Sequence, residues 1–444
     1  MAGIAGVAKT GKTWLVNCML DRIIHRGSAG REVIETPLGT MGVTWLQPQA
    51  EAGTFLAKTQ IALDESGPGH FALVDGAFTL KRDLLGVAPL YYGQMADGIL
   101  CFASEVKALL EATRQVMELP PGHIYNGSAL HSYESLRRQE PVHEQPENIA
   151  RELRRKLELA VEKRISKDEM GVWLSGGLNS SIMAALARPH LHRLDTFAVG
   201  LPGAPDLEYA RIASRFLKCK HHEITVLFKE MLAVLPTVIY HLESFDALLV
   251  RSSVMNFLVA KRAAGYVLEV FSGEGGDELF AGYEYLKSLE SSKLADELVD
   301  ITMRLHNTAI QRVDRCASAH GLVAHVAFLD PEVVDYAFRI PVADKLHNGV
   351  EKWILRQAMT GALPDPILNR PKSKFWQGAG VEELFARYAE ENVTDAGFNK
   401  KLELPNGWCL DSKEELFYYR IFHQYFGKFK DLSWMVRTKG APIS

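Results

Sequence analysis

Hydrophobic and polar positions divide the chain into two halves with different rhythms. Up to about residue 128, short apolar runs such as Gly3–Val7, Phe71–Val74 and Leu100–Ala103 alternate with turns that carry Gly and Asp. Runs of that length between such turns predict a β-rich domain over residues 1–128. Residues 129–147 are polar, with Glu, Gln and Pro, and read as a linker to a second domain over residues 148–444. From Pro146 to about Ile165, the apolar positions Ile149, Leu153, Leu157 and Val161 recur every four residues and predict a long helix. Beyond it, strands alternate with helical patterns, the sign of a parallel sheet with helices on both faces. The last third is mostly helical in pattern, and no internal repeat or low-complexity tract is present.

Composition narrows the function classes. Hydrophobic residues at 47% and charged residues at 23% suit a soluble globular chain with sizeable cores. A net charge of −4 gives no electrostatic basis for binding nucleic acid or an anionic membrane. No apolar run reaches the ~18 residues of a membrane span. The start of the chain has no basic stretch followed by a long apolar core, so no signal peptide is expected. The five cysteines, Cys18, Cys101, Cys219, Cys316 and Cys409, are scattered and lack metal-ligand spacing. They read as the reduced thiols of a cytoplasmic protein.

Two glycine-rich turns carry the chemistry. Ser175-Gly-Gly-Leu-Asn-Ser-Ser181 follows the apolar run Gly171–Leu174 and precedes the helix-like run Ile182–Ala187. A strand, a small-residue turn and a helix start form a phosphate cradle, because amide N–H groups converge there with the positive end of the helix. Ser272-Gly-Glu-Gly-Gly-Asp-Glu-Leu-Phe280 follows the run Val267–Phe271 and carries three carboxylates. Together they suggest a nucleotide polyphosphate with its magnesium ion.

This pair of turns resembles the asparagine synthetase family, which carries SGGLDSS and SGEGSDE at these places. Further resemblance lies in Phe197-Ala-Val-Gly-Leu-Pro-Gly203, Pro205-Asp-Leu207, His221-His-Glu223, Glu243-Ser-Phe-Asp246 and Arg251-Ser-Ser253. Glu351-Lys-Trp-Ile-Leu-Arg356, Arg370-Pro-Lys372 with Phe375 and Gly378-Ala-Gly380, and Ser412–Phe422 continue it. The match runs from about residue 130 to 425. The resemblance implies an α/β chain: an N-terminal degenerate Ntn-type α+β sandwich, then a parallel-sheet ATP-pyrophosphatase domain.

The same resemblance implies roles for individual residues. Ser175, Gly176, Gly177, Leu178 and Ser180 would form the pyrophosphate cradle, with Ser272, Gly273 and Val199 against the AMP portion. Asp277 would be a magnesium ligand, with Glu278 beside it. Asn179 replaces the family's aspartate and, as a second magnesium ligand, keeps a carbonyl oxygen but loses the charge. Glu274 would stabilise and deprotonate an attacking nitrogen. Arg251 and Lys372 would steady phosphate charge, with Lys352 a weaker candidate and Lys374 solvated. Val323, His325 and Ala327 replace the Glu, Arg and Pro of a family segment. A family ion pair is therefore expected to be lost, and His325 reads as structural.

The first half resembles a damaged glutaminase domain. The family's nucleophilic cysteine follows the initiator methionine, whereas this chain begins Met1-Ala-Gly-Ile4. The stretch that should hold the glutamine carboxylate through an arginine reads Gly39-Thr-Met-Gly-Val-Thr-Trp45. The Asn-Gly-Glu loop is absent, and residues are missing between Gln49 and Gly76. Alanine cannot attack a carboxamide. Three separate losses argue for natural decay rather than an engineered Cys→Ala change.

Gly6-Val-Ala-Lys-Thr-Gly-Lys-Thr13 also matches the Walker A pattern, which would put Lys12 on phosphate and Thr13 on magnesium. Its first glycine falls inside a short predicted strand, and no later strand supplies a clear Walker B aspartate. The resemblance favours ATP-dependent activation of a carboxylate, most simply aspartate, as an acyl-adenylate that ammonia or another amine then attacks. It allows an amine-supplying partner protein and a homodimer. Two alternatives remain: a specialised amide synthetase for a different acid or amine, and a silent nucleotide-binding homologue.

Overall fold

A computed structural model describes residues 2–46, 55–56, 61–372, 378–381, 383–399 and 404–438. Lys374, Phe375 and Gln49 lie outside the described residues. Two six-stranded antiparallel sheets build the first domain. In one, the buried strand Ala2–Val7 lies between Gly39–Trp45 and Leu100–Ala103. The other contains Ile61–Gly67, His70–Val74 and Leu80–Arg82. Ile4, Met41, Val43, Val74 and Leu80 fill the space between the sheets. This is the expected α+β sandwich.

Leu130–Ser132 is an edge strand of the second sheet rather than linker, so this sheet continues beyond residue 128. Its three residues are exposed, and an exposed edge strand gives no apolar signal. The helix Pro146–Glu162 then crosses to the second domain with Ile149, Leu153, Leu157 and Val161 buried. It stops short of Ile165. Arg164 turns inward instead, donating to Asp330 Oδ2 at 2.7 Å and to the Ala160 carbonyl at 2.8 Å.

Five parallel strands form the sheet of the second domain, in the spatial order Lys220–Thr225, Arg193–Gly200, Glu169–Trp173, Glu269–Phe271, Val323–His325. Chain order runs outward in both directions from Glu169–Trp173. The sheet therefore has a switch point between Glu169–Trp173 and Glu269–Phe271, where an open α/β sheet leaves a crevice at its carboxyl edge. Among the described residues, no single helix is long and apolar enough to cross a membrane.

The Walker-like segment has more of the required local context than the pattern predicted. A buried six-residue strand precedes it, and the helix Thr13–Arg22 follows. The strand is antiparallel to both its neighbours, and the loop already holds an anion. Glu35 accepts from the Gly11 amide at 3.2 Å, and from the Thr13 and Thr40 hydroxyls at 2.9 Å each. A carboxylate from the strand Gly30–Thr36, two places away in the sheet, thus takes the place that a phosphate would need.

The two domains are joined by buried charge. Arg26 is fully buried and uses all five guanidinium donors. They reach Ala2 O (2.9 Å), Glu105 Oε1 (3.0 Å), Asp64 Oδ2 (2.9 Å) and both oxygens of Asp314 (2.8 and 3.0 Å). Asp314 belongs to the second domain. Arg26→Met should cost about 3–5 kcal/mol, because three buried carboxylates lose a shared counter-charge. Chemical denaturation of the full chain measures it, and a loss below about 1 kcal/mol would contradict the network's role.

Candidate active site

The carboxyl edge of the parallel sheet turns both glycine-rich segments toward each other. Ser175–Gly177 leaves the strand Glu169–Trp173, and Ser272–Gly275 leaves Glu269–Phe271. These are the strands that flank the switch point. Both turns line one cavity of about 600 Å³, within the usual size of a small-molecule site.

At the first turn, Gly176 has φ +70°, and a Cβ there would stand 2.3 Å from the Ala210 amide nitrogen. Only glycine lets the turn sit on the helix Pro205–Phe216. Gly177 caps the helix Leu178–Ala187, which has no side-chain cap. Its first-turn amides therefore face the cavity without a capping carboxylate or hydroxyl, a ready site for anionic oxygen. Ser180 Oγ lies 3.2 Å from Ser175 Oγ and donates to the Gly177 carbonyl. At the second turn, a Cβ on Gly273 would stand 2.7 Å from the Ser180 amide nitrogen. The two turns thus pack backbone against backbone.

Asp277 lies at their junction. It accepts from the Asn179 amide at 3.0 Å and pairs with Lys352 and Lys372 at 2.7 Å each. The Asn179 carbonyl accepts from Lys352 at 3.0 Å. Burial opposes ionisation of Asp277, but Lys352 and then Lys372 outweigh it and hold the carboxyl below the ordinary range. Burial raises Glu278 to about 7, helped by the neighbouring charges of Asp277 and Glu274. Glu278 accepts from the Tyr283 hydroxyl, and its Oε2 has no hydrogen-bond partner among the described residues.

Most expected site residues meet here. Ser175, Gly177, Leu178, Asn179, Ser180, Val199, Ser272, Gly273, Glu274, Asp277 and Lys372 line the cavity, while Gly176 supports it from behind. Lys352 is only 3% exposed and touches Asp277, a far more central place than its sequence context suggested. Arg251 is placed differently: it pairs with Glu414, and it is not among the residues lining the cavity. Four other arginines, Arg304, Arg312, Arg356 and Arg370, lie in the wall. Arg312 binds Glu274 and, at 3.1 Å, the Ser252 hydroxyl. Arg370 donates to the Ser175 carbonyl at 3.1 Å, pairs with Asp206, and stacks 4.0 Å from the Tyr209 ring. Arg370 was visible only as part of a motif, and Arg312 gave no local signal in a helix buried along its length.

His325 is structural. Its Nε2 lies 2.8 Å from Glu269 Oε2, a buried pair that stands where an ion pair was expected to be lost. As for magnesium, no group of three or more His, Cys, Asp or Glu side chains among the described residues is arranged to hold a metal by itself. That suits an ion held by one or two carboxylates plus substrate phosphates, the usual manner for magnesium. Asp277 fits this scheme. Asn179 does not fit as oriented, because it turns its NH₂ toward Asp277 and its oxygen toward Lys352.

Glu278 makes stability depend on pH. The unfolded chain ionises it near the ordinary 4.5, whereas the fold keeps the proton to about 7. The unfolded state therefore binds fewer protons between those values, and this contribution to stability should fall as pH rises through them. Glu278→Gln should flatten the dependence. Melting temperatures of parent and variant from pH 5 to 8 check it, and parallel curves would contradict it.

Known proteins resemble the chain over most of its length. The Asparagine synthase family model matches residues 152–304 and 290–438, and the Glutamine amidotransferase domain model matches residues 65–152. Asparagine synthetase [glutamine-hydrolyzing] 2 of Arabidopsis thaliana is 35% identical over 392 residues, covering 81% of this chain and 68% of that protein. Asparagine synthetase B [glutamine-hydrolyzing] of Escherichia coli is 35% identical over 404 residues, covering 82% and 70%. The solved NMN synthetase of Francisella tularensis aligns at TM-score 0.30 and 12% identity, covering 67% of this chain and 99% of that one. That global similarity is too low to bear on the fold. With a family model spanning most of its second domain and relatives matched over four-fifths of its length, the chain belongs to the asparagine synthetase family.

Proposed function

We propose that the protein is an ATP-dependent ligase that activates a carboxylic acid as an acyl-adenylate and joins it to a nitrogen nucleophile. Its own first domain does not hydrolyse glutamine. The observation that carries this reading is the meeting of two glycine-rich turns at the switch point, with Asp277, Lys352 and Lys372 between them. A bare carboxylate offers an amine no leaving group, so the acid is activated first. A carboxylate oxygen attacks the α-phosphorus, the bond to the bridging oxygen breaks, and pyrophosphate leaves with the electron pair.

The uncapped helix start, with Ser175, Gly176, Gly177 and Ser180, receives the phosphates. Ser272, Gly273 and Val199 flank the AMP portion. Lys352 and Lys372 answer the charge that gathers on the leaving pyrophosphate. Magnesium would be held by Asp277 and the phosphate oxygens, and when bound it neutralises phosphate charge. Glu274, held by Arg312, stands ready to stabilise the nitrogen as it gains positive charge and to accept its proton.

The first domain supports the second half of the reading. Ala2 has no nucleophile and is fully buried, its amide nitrogen donating to Asp64 Oδ1 at 3.0 Å. Trp45, its cross-strand partner, is also buried. Nitrogen would then come from free ammonia, another amine or a partner protein. Aspartate with ammonia, giving asparagine, is the simplest pair. A different acid is the second reading.

Mixing the protein with ATP, magnesium, an acid and either ammonium or glutamine should give AMP, pyrophosphate and amide with ammonium alone. Release of glutamate from glutamine would refute the loss of glutaminase function. Glu274→Gln should keep ATP binding while amide formation falls by about a hundredfold or more. Equal product from parent and variant, followed by mass spectrometry, would remove Glu274 from the mechanism. Asn179→Asp should lower the magnesium concentration needed for half-maximal rate, since a carboxylate binds the ion better than an amide oxygen. An unchanged magnesium titration would mean that position 179 does not meet the metal.

A further inference from the structure

One wall of the cavity is a single helix. Ala247–Ala263 turns Leu248, Leu249, Ser252, Asn256 and Val259 toward it, the three- and four-residue spacing of one helical face. Asp246 caps this helix by accepting from the Leu249 amide at 2.7 Å. Six residues after the cap, the Ser252 hydroxyl accepts from Arg312, which holds Glu274. The capped end therefore lies about 9 Å along the axis from the residue that ties down Arg312.

At that end the wall is completed by Thr438, which joins from 192 residues away in the chain. Its amide donates to Asp246 Oδ2 at 3.1 Å, and its hydroxyl donates to Asp246 Oδ1 at 2.8 Å. The neighbouring Arg437 pairs with Glu415 at 2.6 Å and with Asp411, and it lies 4.9 Å from the Trp408 ring. The segment that carries these two residues is anchored unevenly. Leu432, Trp434 and Met435 are buried, and Trp434 meets Tyr91 of the first domain edge-on, with ring centroids 6.2 Å apart. Val436, Arg437 and Thr438 are only half-buried. Apolar packing thus holds the root, and polar contacts hold the tip. Water can replace the partners of a partly exposed polar group, but it cannot replace buried aromatic packing. The tip should open more readily than the root.

We propose that Val436–Thr438 is a movable strap, hinged at Met435 and latched by Asp246 and Glu415, which shuts the Glu274 side of the cavity while the acyl-adenylate is present. This rests on the ligase reading above and assigns Arg437 and Thr438 as positioning residues. An acyl-adenylate is open to water as well as to nitrogen. When water attacks the acyl carbon, AMP leaves with the bonding pair and the acid is regenerated, so ATP is consumed without forming an amide. The closed strap excludes that water. The lifted strap lets the acid and the nitrogen nucleophile enter and the amide leave.

Hydrogen exchange on the full chain, resolved to single amides by mass spectrometry, tests the movement. The Thr438 amide is bonded to Asp246, and the Met435 amide to the Leu432 carbonyl at 2.9 Å, so neither exchanges without opening. Thr438 should exchange about tenfold or more faster than Met435. Equal rates would overturn the hinge. Arg437→Met and Thr438→Val test the shielding. Each is compared with the parent in ATP, magnesium and ammonium, using whichever of L-aspartate, L-glutamate, hexanoate and 3-phenylpropanoate the parent turns over. Each variant should release about fivefold or more AMP per amide than the parent, with ATP affinity, measured by titration, within about twofold. An AMP-to-amide ratio unchanged in both variants would overturn the shielding role. So would a fall in ATP affinity that accounts for the change, because the segment would then be structural. No AMP from the parent with any of these acids overturns the ligase reading and the shielding with it, while the exchange rates still decide whether the strap moves.

Discussion

A buried negative charge on Asp277 sets the terms for the site. A carboxylate removed from water is costly unless it is paired and hydrogen-bonded. Here it is answered three ways, by Asn179, Lys352 and Lys372. Those partners come from the first turn, from the residue before the helix Trp353–Ala358, and from the Arg370–Lys372 run. Satisfying one carboxylate therefore gathers segments separated by almost two hundred residues. The gathering is possible only because Gly176 and Gly273 let backbone meet backbone.

The first domain, with Ala2 at the head of its first strand, is structurally coupled to this site. Arg26 gives two of its hydrogen bonds to Asp314, on the helix Ala309–Ser318. Two residues earlier on that helix, Arg312 holds Glu274. The neighbouring Arg315 reaches Glu105 at 3.0 Å and Glu243 at 3.2 Å, so both domains grip the same helix. A helix fixed at Asp314 and Arg315 cannot turn without carrying Arg312 away from Glu274. Removal of the first domain would also expose Asp314 and Arg315 from a buried network, which gives a physical reason for its retention.

The parts of this arrangement that were legible in the sequence were those with local signals. Period-four spacing revealed the helix at Pro146, and the two glycine-rich turns revealed the crevice. Their residues need small side chains for a local reason, and local reasons leave local patterns. Lys352 was undervalued because a lone lysine usually marks a solvated surface; its 3% exposure is set by Asp277, far away in the chain. Arg312 was missed because its partners, Glu274 and Ser252, lie 38 and 60 residues away. Arg251 carried a persuasive motif, but Glu414 takes it instead of the cavity. The Walker-like run failed for the opposite reason: its letters were right, and a carboxylate from the strand Gly30–Thr36 filled the loop.

Asn179 is better understood from this charge balance than as a weakened metal ligand. An aspartate could not donate to Asp277, and two adjoining carboxylates would compete for the same lysines. The amide donates to Asp277 and accepts from Lys352, using both ends at once. With asparagine there, one carboxylate faces two ammonium groups, and a positive charge is left over for phosphate. With aspartate, the cluster would be neutral before any metal arrived, and magnesium would have to supply the missing positive charge. Under the proposed ligase reading, the asparagine would move part of the task of holding the polyphosphate from the ion to the two lysines. That leaves Lys352 and Lys372 with an unmatched positive charge beside the uncapped helix start.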